Sequence, residues 1–285
     1  MECYTYDRLR QQLTDFPTVF AAGHSTFGRP IWCVAVGNGG GMLVHGAIHA
    51  REHITAPVVL NMARAYAEAY RQGGLPPCDF VPMVNPDGVM LCAQGVRSAP
   101  LGCRRWLLDV NGSDDFALWK ANGQGVDVNV NFDACWGQGL GNRRRPAPQG
   151  YVGDRPHSSP EARALVRLTR RRHYQLTLSY HCKGEVVYYG LGTEALRDRD
   201  RDAARYLAQY LGYTPLPSTG SAGGYKDWYI LHYPSGVGLT VEIGDDRFAH
   251  PFPYTELAAL TEAHRDVPLR MARYKESLWT NLTCN

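Results

Sequence analysis

Apolar residues recur at two different periods along this chain, and segments of the two kinds alternate. Helical spacing predicts amphipathic helices at residues 4–16, 55–72, 160–171, 195–211 and 254–282. Short apolar runs between them predict six strands, at residues 31–36, 42–45, 80–84, 176–180, 186–189 and 237–243. The alternation predicts an α/β fold of three layers, α/β/α, in which helices cover both faces of a mixed, mostly parallel sheet. No linker or repeat interrupts it, so we expect one domain over residues 1–285.

The connecting segments give further local predictions. Glycine-rich residues 37–41 predict a hairpin-like link between the first two strands, and residues 85–88 (Asn-Pro-Asp-Gly) predict a turn. Thr55 and Ser159 are placed to cap the helices that follow them. Residues 91–158 are rich in Gly, Asn, Asp, Arg and Pro and show little periodicity, so we expect a long functional loop there.

Composition and charge argue against several classes of partner. The 285 residues are 44% hydrophobic and 20% charged, and the net charge of +3 is too small to argue for nucleic acid or a membrane surface. The basic cluster at residues 143–145 is interpreted as a solvated loop. No segment is long and apolar enough to span a membrane, and the N-terminus lacks the apolar core of a signal peptide, so we expect a cytoplasmic protein.

The cysteines do not indicate a metal site or a disulfide framework. None of the eight belongs to a Cys-x-x-Cys pair, which argues against thiolate ligands. A chain of this length does not need disulfides to fold, and without an export signal reduced thiols are expected.

Polar residues follow or end three of the predicted strands, at the edge where sites form in parallel sheets. His49 and Glu52 follow the second strand, His181 follows the fourth, and Glu242 lies in the sixth. Two imidazoles and one carboxylate form the ligand set of a catalytic zinc that keeps a fourth position for water. Burying Glu242 in an apolar strand is costly unless it has a function, and it is the candidate general base.

Each of these residues also has an ordinary structural interpretation. With ten histidines in the chain, a single His-x-x-Glu match has about an even chance of arising at random. His181 alone is more often a hydrogen-bonded interior histidine. The combination of His49, Glu52, His181 and Glu242 at three strand ends favours a metal site over four unrelated buried polar groups.

Ordered motifs along almost the whole chain resemble those of the zinc carboxypeptidase family, the carboxypeptidase A-like metallopeptidases. The motifs are His49-Ala50-Arg51-Glu52, Asn85-Pro86-Asp87-Gly88, Gly125-Val126-Asp127-Val128-Asn129-Val130-Asn131-Phe132-Asp133, Ser159-Pro160-Glu161, Ser179-Tyr180-His181 and Val241-Glu242. Carboxypeptidase A is a known example of a His/His/Glu zinc site. The resemblance implies a zinc carboxypeptidase-like fold, a zinc metallopeptidase, and Zn²⁺ as the cofactor.

The resemblance also implies a role for each matching residue. The two histidines and Glu52 would bind zinc, and Glu242 would activate the zinc-bound water and later protonate the leaving amine. Arg51 would help to polarise the scissile carbonyl, and Asn129 would contact the carboxylate side of the substrate. Lys120 falls where most carboxypeptidases have the arginine that stabilises the oxyanion, and an ammonium can do this as a point charge.

Three departures from the family pattern concern the substrate. Carboxypeptidases clamp the terminal carboxylate with an arginine directly after the Asn129 position, where this chain has Val130. The family's mobile substrate-binding tyrosine is missing from its usual place, where this chain has Ser218 and Thr219, so its role is either vacant or filled by another residue, for which Tyr225 is the candidate. Lys226 occupies the position that sets side-chain specificity, and we expect it to favour a negatively charged group.

Four features together resemble one bacterial subfamily, the γ-D-glutamyl-diamino acid peptidases that act on peptidoglycan peptides. They are Trp119-Lys120-Ala121-Asn122, Val130, Gly184-Glu185 after the Ser179-Tyr180-His181 motif, and Gly223-Gly224-Tyr225-Lys226-Asp227-Trp228. The implied reaction is hydrolysis of the amide between the γ-carboxyl of D-glutamate and a diamino acid. The implied partner is a small peptide with several carboxylates. Neither the diamino acid, meso-diaminopimelate or lysine, nor the oligomeric state follows from the sequence.

Two alternative functions remain open at this point. A metallocarboxypeptidase or deglutamylase would remove acidic C-terminal residues, with Lys226 binding the side chain, but Val130 argues against it. A non-catalytic binding module on a peptidase fold would not need the three ligands and Glu242, all of which are present.

Overall fold

Eight strands form one mixed sheet in the computed structural model, which describes residues 3–191, 194–220 and 222–274. They are β1 (Val19–His24), β2 (Pro30–Val36), β3 (Met42–His45), β4 (Cys78–Val81), β5 (Leu176–His181), β6 (Val186–Tyr189), β7 (Thr214–Pro217) and β8 (Val237–Glu242). The spatial order is β1-β2-β4-β3-β5-β8-β6-β7. The central strands β4, β3, β5 and β8 are parallel, and antiparallel pairs flank them. This arrangement confirms the predicted fold class.

Helices cover both faces of the sheet. They are α1 (Tyr6–Gln12), α2 (Thr55–Tyr70), α3 (Pro86–Gln94), α4 (Leu101–Asn111), α5 (Pro160–Arg172), α6 (Glu194–Leu211), α7 (Tyr225–His232), α8 (Leu257–His264) and α9 (Val267–Ala272). Apolar residues of α1, α2, α6, α8 and α9 pack on one face, with Val44 and Leu178 of the sheet. Residues of α5 and α7 pack on the other, with Leu43 and Val81. Successive residues of a strand point to opposite faces of the sheet, so their side chains enter two separate cores.

The ends of three central strands bring the candidate chemistry to one edge of the sheet. His49 follows β3, His181 ends β5 and Glu242 ends β8. Across the parallel β5-β8 pair, His181 and Glu242 are register partners. Because these strands run in the same direction, residues far apart in sequence meet beyond their carboxyl ends.

The structure corrects two predicted connections. Residues 37–41 do not join a hairpin, because β4 lies between β2 and β3 in the sheet. Asn85-Pro86-Asp87-Gly88 is not an isolated turn but the start of α3, where the Asn85 side chain accepts a hydrogen bond from Gly88 N–H at 3.0 Å. Proline in the first turn and an Asn cap are ordinary helix-start features.

One of the two predicted helix caps is present in the structure, and the long predicted loop contains helical segments. Ser159 caps α5 by accepting from Ala162 N–H. Thr55 does not cap α2, whose first flanking residue is Ile54 and which has no side-chain cap. The predicted loop at 91–158 contains α4 and a short 3-10 helix, Val128–Val130. Strands β1 and β7 and helix α7 were not predicted.

The C-terminal helix is shorter in the structure than its pattern predicted. The segment predicted at 254–282, with a kink or break expected near Pro268, consists of a 3-10 turn (Tyr254–Glu256), α8 and α9, and the break at residues 265–266 lies close to Pro268 in the first turn of α9. Residues 275–282 of that prediction lie outside the described residues. Among the described residues no helix is long and apolar enough to cross a membrane, and the seven cysteines there are unpaired.

Candidate metal centre

Three buried side chains point their donor atoms at one another beyond β3 and β5. The Nδ1 atom of His49 lies 2.8 Å from Glu52 Oε1 and 3.0 Å from His181 Nδ1, which is 3.0 Å from Glu52 Oε2. Their exposed fractions are 6%, 3% and 1%. This spacing suits donors arranged around one ion at about 2.0–2.2 Å, and two imidazoles with one carboxylate suit zinc. The structure therefore brings together the three predicted ligands.

The loop after β3 is shaped so that both His49 and Glu52 face this point. Ala47 has a positive φ of 47°, and its N–H donates to Thr55 Oγ1 at 2.7 Å. The Thr55 hydroxyl in turn donates to the Glu52 carbonyl at 2.8 Å. Thr55 thus braces the metal-binding loop across one turn instead of capping α2. Cys182 N–H also donates to Glu52 Oε2 at 3.3 Å.

The two neighbouring imidazoles favour the ionised form of the Glu52 carboxyl. Burial by itself would raise the pKa of this carboxyl, but the imidazoles of His49 and His181 outweigh burial and hold the pKa well below its usual range. The pKa of His181 is lowered, first by burial and then by repulsion from His49. A neutral imidazole and an ionised carboxylate are the forms that bind a metal ion.

Asp127 contacts the far side of His49 and was missing from the predicted site. Its Oδ1 lies 3.3 Å from His49 Nε2, and its Oδ2 accepts from Gly150 N–H at 3.0 Å. Burial would raise the pKa of Asp127, but Lys120 and His49 together hold it well below the usual range. A carboxylate on the second ring nitrogen fixes the tautomer that leaves Nδ1 free for a metal. The sequence signal was available, since Asp127 belongs to the Gly-Val-Asp motif.

Glu242 lies at the same edge of the sheet, at the end of β8. Burial raises the pKa of its carboxyl well above the usual range, repulsion from Glu52 adds to this, and Lys120 opposes it. The side chain lines an open cavity of about 480 Å³ that also reaches His49 and His181. A raised pKa makes the ionised carboxylate a stronger proton acceptor near neutral pH.

The cavity contains most of the residues predicted to contact substrate. Lys120 lines it, with Nζ 3.6 Å from Asp127 Oδ2. Asn129 accepts from Tyr225 N–H at 3.0 Å through Oδ1, so its Nδ2 faces His181 Nε2 at 3.4 Å. Val130 forms part of the wall. Among the described residues that line the cavity, none is an arginine.

Arg51 is half-buried and is not among the residues that line this cavity. Its Nη1 donates to Gln149 Oε1 at 3.3 Å. The predicted contact of Arg51 with the scissile carbonyl therefore stays a prediction.

The predicted role of Tyr225 is wrong for its side chain. The residue is fully buried, and its hydroxyl is 2.7 Å from Thr169 Oγ1. Its ring packs against His45, Phe132 and Trp228, away from the cavity. The side chain of Tyr225 cannot replace a mobile tyrosine without leaving the core.

Lys226 is in the cavity as predicted, but its charge is compensated. Its Nζ donates to Gly190 O at 2.9 Å and Ser218 Oγ at 2.8 Å, and lies 2.6 Å from Asp227 Oδ1. The pocket was expected to have a net positive charge at Lys226, but it contains a buried ion pair instead.

Two further cavity residues were missed by the sequence reasoning. Tyr188 projects from β6 into the cavity, opposite Thr240 in the sheet register. Asn142 lines it from the loop before α5, and its Nδ2 is buried without a hydrogen-bond partner among the described residues. No motif marks either residue, because only the packing of distant segments makes them neighbours.

Comparison with known proteins supports the chemistry of this site. Residues 4–263 match the zinc carboxypeptidase family. The chain is 31% identical to γ-D-glutamyl-L-diamino acid endopeptidase 1 of Lysinibacillus sphaericus over 277 residues, which cover 89% of this chain and 68% of that protein. It is 29% identical to YqgT of Bacillus subtilis, an uncharacterised protein, with coverage of 89% and 71%.

Solved structures with low sequence identity share the fold. Bovine thrombin-activatable fibrinolysis inhibitor, in complex with a tick carboxypeptidase inhibitor, superposes with a TM-score of 0.75 at 18% identity, covering 98% of both chains. Murein-tripeptide amidase MpaA of Escherichia coli O157 gives a TM-score of 0.57 at 20% identity, covering 93% of this chain and 96% of its own. With the family match over residues 4–263, these likenesses lead to one conclusion: the chain belongs to the zinc carboxypeptidase family and is a zinc metallopeptidase.

Proposed function

We propose that the protein hydrolyses the amide bond between the γ-carboxyl of D-glutamate and a diamino acid in peptidoglycan-derived peptides. The observation that carries this proposal is the absence of arginine among the described residues lining the cavity, where Val130 occupies the position of the family's carboxylate clamp. Valine cannot form an ion pair with a C-terminal carboxylate. The similarity to a γ-D-glutamyl-L-diamino acid endopeptidase supports the same reaction.

We assign His49, Glu52 and His181 as the residues that hold zinc. When bound, zinc supplies the Lewis acidity that activates a water molecule for attack on an amide carbon. Asp127 orients His49 from its outer nitrogen, 3.3 Å away, so that the imidazole keeps one tautomer.

Glu242 acts as the general base in this proposal. Its carboxylate accepts a proton from the attacking water and then donates that proton to the amine that leaves when the amide bond breaks. The position of Glu242 supports both steps, because its side chain lines the same cavity as His49 and His181.

Lys120 stabilises the negative charge that develops on the carbonyl oxygen. The Lys120 ammonium lies 3.6 Å from one oxygen of the Asp127 carboxylate. This single contact orients the ammonium, whereas a bidentate contact would neutralise it. Asn129 is fixed by its bond from Tyr225 N–H and presents its amide nitrogen to the same space. Arg51 is not among the residues that line the cavity, and its predicted role in polarising the scissile carbonyl stays a prediction.

The test compares two substrates with the same protein preparation. We expect release of the diamino acid from L-Ala-γ-D-Glu-meso-diaminopimelate, loss of that activity when zinc is removed, and its return when zinc is restored. A peptide with a C-terminal polyglutamate tail should release no glutamate. Glutamate release from that peptide alone would replace this proposal with the deglutamylase function. Absence of zinc together with an unchanged Glu242→Gln variant would indicate a binding module.

A further inference from the structure

Three segments of the chain meet inside the protein at the metal-binding loop. They are residues 48–50 of that loop, residues 85–88 at the start of α3, and residues 120–121, which include the candidate cation Lys120. Ala50 N–H donates to the Lys120 carbonyl at 3.2 Å, so the first and third segments are in direct contact. The Asn-Pro-Asp-Gly motif of the second segment has no role in the mechanism described above.

Asn85 bridges the other two segments with its side-chain amide. Its Nδ2 donates to the Ile48 carbonyl at 3.3 Å and to the Ala121 carbonyl at 3.0 Å. Its Oδ1 accepts from Gly88 N–H, which caps α3. The side chain is fully buried, and an amide nitrogen has two N–H donors. Both donors therefore join the residue before a metal ligand to the residue after the candidate cation.

The start of α3 is anchored to the link between β1 and β2. Asp87 is fully buried, and its Oδ1 lies 2.6 Å from Arg29 Nη1. Its Oδ2 accepts from Phe27 N–H at 2.6 Å. A buried carboxylate with an ion pair and a backbone hydrogen bond holds the helix end in place. Asn85, two residues earlier, thus reaches the other segments from a fixed base.

Gly88 allows the three segments to approach one another closely. A Cβ at this position would lie 2.4 Å from the Ala121 carbonyl oxygen and 2.8 Å from the Ala50 Cβ. Both distances are well below the 3.5–4.0 Å at which non-bonded carbon atoms pack best. A larger residue fits here only if the two segments move apart, so close packing and the Asn85 bridge act on the same separation.

We propose that Asn85 is a positioning residue that sets the distance between the metal ligands and Lys120. It acts through the backbone carbonyls on either side. A displacement of about 1 Å at a reacting group can cost about 100-fold in rate, so a buried side chain that fixes this distance affects turnover. This assignment rests on the proposed function, in which Lys120 stabilises the negative charge on the carbonyl oxygen.

Asn85→Ser separates this role from helix capping. Serine is as good an N-cap as asparagine, but its single short hydroxyl cannot bridge two carbonyls. We expect kcat on L-Ala-γ-D-Glu-meso-diaminopimelate to fall about tenfold or more, with KM within about threefold of native. The matched control is Asn111→Ser after α4, where Nδ2 also donates to two carbonyls, those of Ser113 and Asp115, and kcat should stay native.

A double-mutant cycle tests whether Asn85 acts through Lys120. Once Lys120→Met has removed the cation, adding Asn85→Ser should change kcat by less than about threefold, because the distance no longer matters. If the two losses multiply instead, Asn85 acts independently of Lys120 and the assignment is overturned. If Asn85→Ser alone keeps kcat within about threefold of native, the side chain only caps α3, which overturns the assignment as well.

Amide hydrogen exchange on the full chain gives a readout that depends on neither activity nor a variant. In the native protein, Ala50 N–H should exchange about as slowly as the amides of β3, because the junction is rigid. In Asn85→Ser, exchange at Ala50 should be about tenfold faster or more, while β3 keeps its native rate. Fast exchange at Ala50 in the native protein would contradict the assignment even if Asn85→Ser did not fold.

The two kinds of measurement separate this assignment from the proposed function. If the native protein does not cleave the γ-D-glutamyl peptide, the proposed function is wrong. The exchange rates at Ala50 still decide whether Asn85 holds the junction together.

Discussion

His49 and Asp127 are in contact on the side of the imidazole that faces away from the metal centre, with Nε2 of one 3.3 Å from Oδ1 of the other. The two residues are 78 positions apart in sequence. The same carboxylate approaches Lys120 through its second oxygen. Asp127 thus links a metal ligand to the cation that faces the scissile carbonyl in the proposed mechanism.

Replacing Asp127 by Asn should weaken zinc binding about 10–100-fold, because a neutral amide replaces the carboxylate that faces the outer ring nitrogen of His49. Competition with a chelator measures the affinity. Asp133→Asn, an exposed carboxylate in the same loop, is the control and should retain the native value. Native zinc affinity in Asp127→Asn would show that the contact has no role in holding the ligand.

Glu242→Gln should keep zinc and lose turnover by about 10²–10⁴-fold, since the amide cannot accept a proton from water. Zinc content by elemental analysis and kcat on the tripeptide test this together. His181→Ala is the comparison, because it removes a ligand and should lose both zinc and activity. A Glu242→Gln variant with more than about a tenth of native kcat would exclude the residue as the base.

Tyr225→Phe should leave KM and kcat within about twofold of native and lower the free energy of unfolding by about 1–2 kcal/mol, because Thr169 loses its buried partner. Urea denaturation and steady-state kinetics give the two quantities. The control is Tyr210→Phe, an exposed tyrosine on α6. A large increase in KM for Tyr225→Phe would restore this side chain to the substrate site.

Val130→Arg should add activity against ordinary peptides with a free C-terminal carboxylate, by about tenfold or more, because a guanidinium enters the cavity wall and pairs with that group. The same change should lower kcat/KM for the γ-D-glutamyl peptide. Val130→Met is the matched control for size without charge. If both variants behave alike on the two peptides, Val130 does not decide between the two reactions.

His264 should make the fold sensitive to acid. Burial lowers the pKa of its imidazole to about 3. The two ring nitrogens of His264 contact the hydroxyls of Tyr213 and Tyr180. An unfolded histidine titrates near 6.5, so between about pH 6.5 and 3 the unfolded chain binds the extra proton. Stability is therefore fully present above pH 6.5 and falls as pH decreases, by roughly 1.4 kcal/mol per pH unit for this group.

Denaturation by urea at pH 7.5 and pH 5 measures this slope, with a chelator present so that zinc does not contribute. His264→Gln should have a smaller slope than the native protein. His232→Gln, at an exposed histidine that ends α7, serves as the control. Equal slopes for native protein and His264→Gln would contradict the assignment.

Prediction from sequence succeeded where the signal was local or where a motif held several residues in fixed order. His49 and Glu52 are three apart, and β5, β8 and α5 have strong apolar patterns and caps. It failed for β1 and β7, whose residues are half-exposed or exposed, and for α7, whose 8 residues are too few to show a clear helical period. It also misplaced β2 beside β3, because nothing local in residues 37–41 indicates that β4 enters between them.

The amino-acid sequence by itself determined the fold class and indicated the candidate ligand set and the candidate base, because the apolar periods and ordered motifs point to them without knowledge of distances. Tertiary structure decided the rest of the site. Only packing shows that Tyr225 is locked in the core, that Asp127 supports His49, and that the charge of Lys226 is balanced by Asp227. Burial and pairing depend on which distant segments meet, and these set the charge that a substrate encounters.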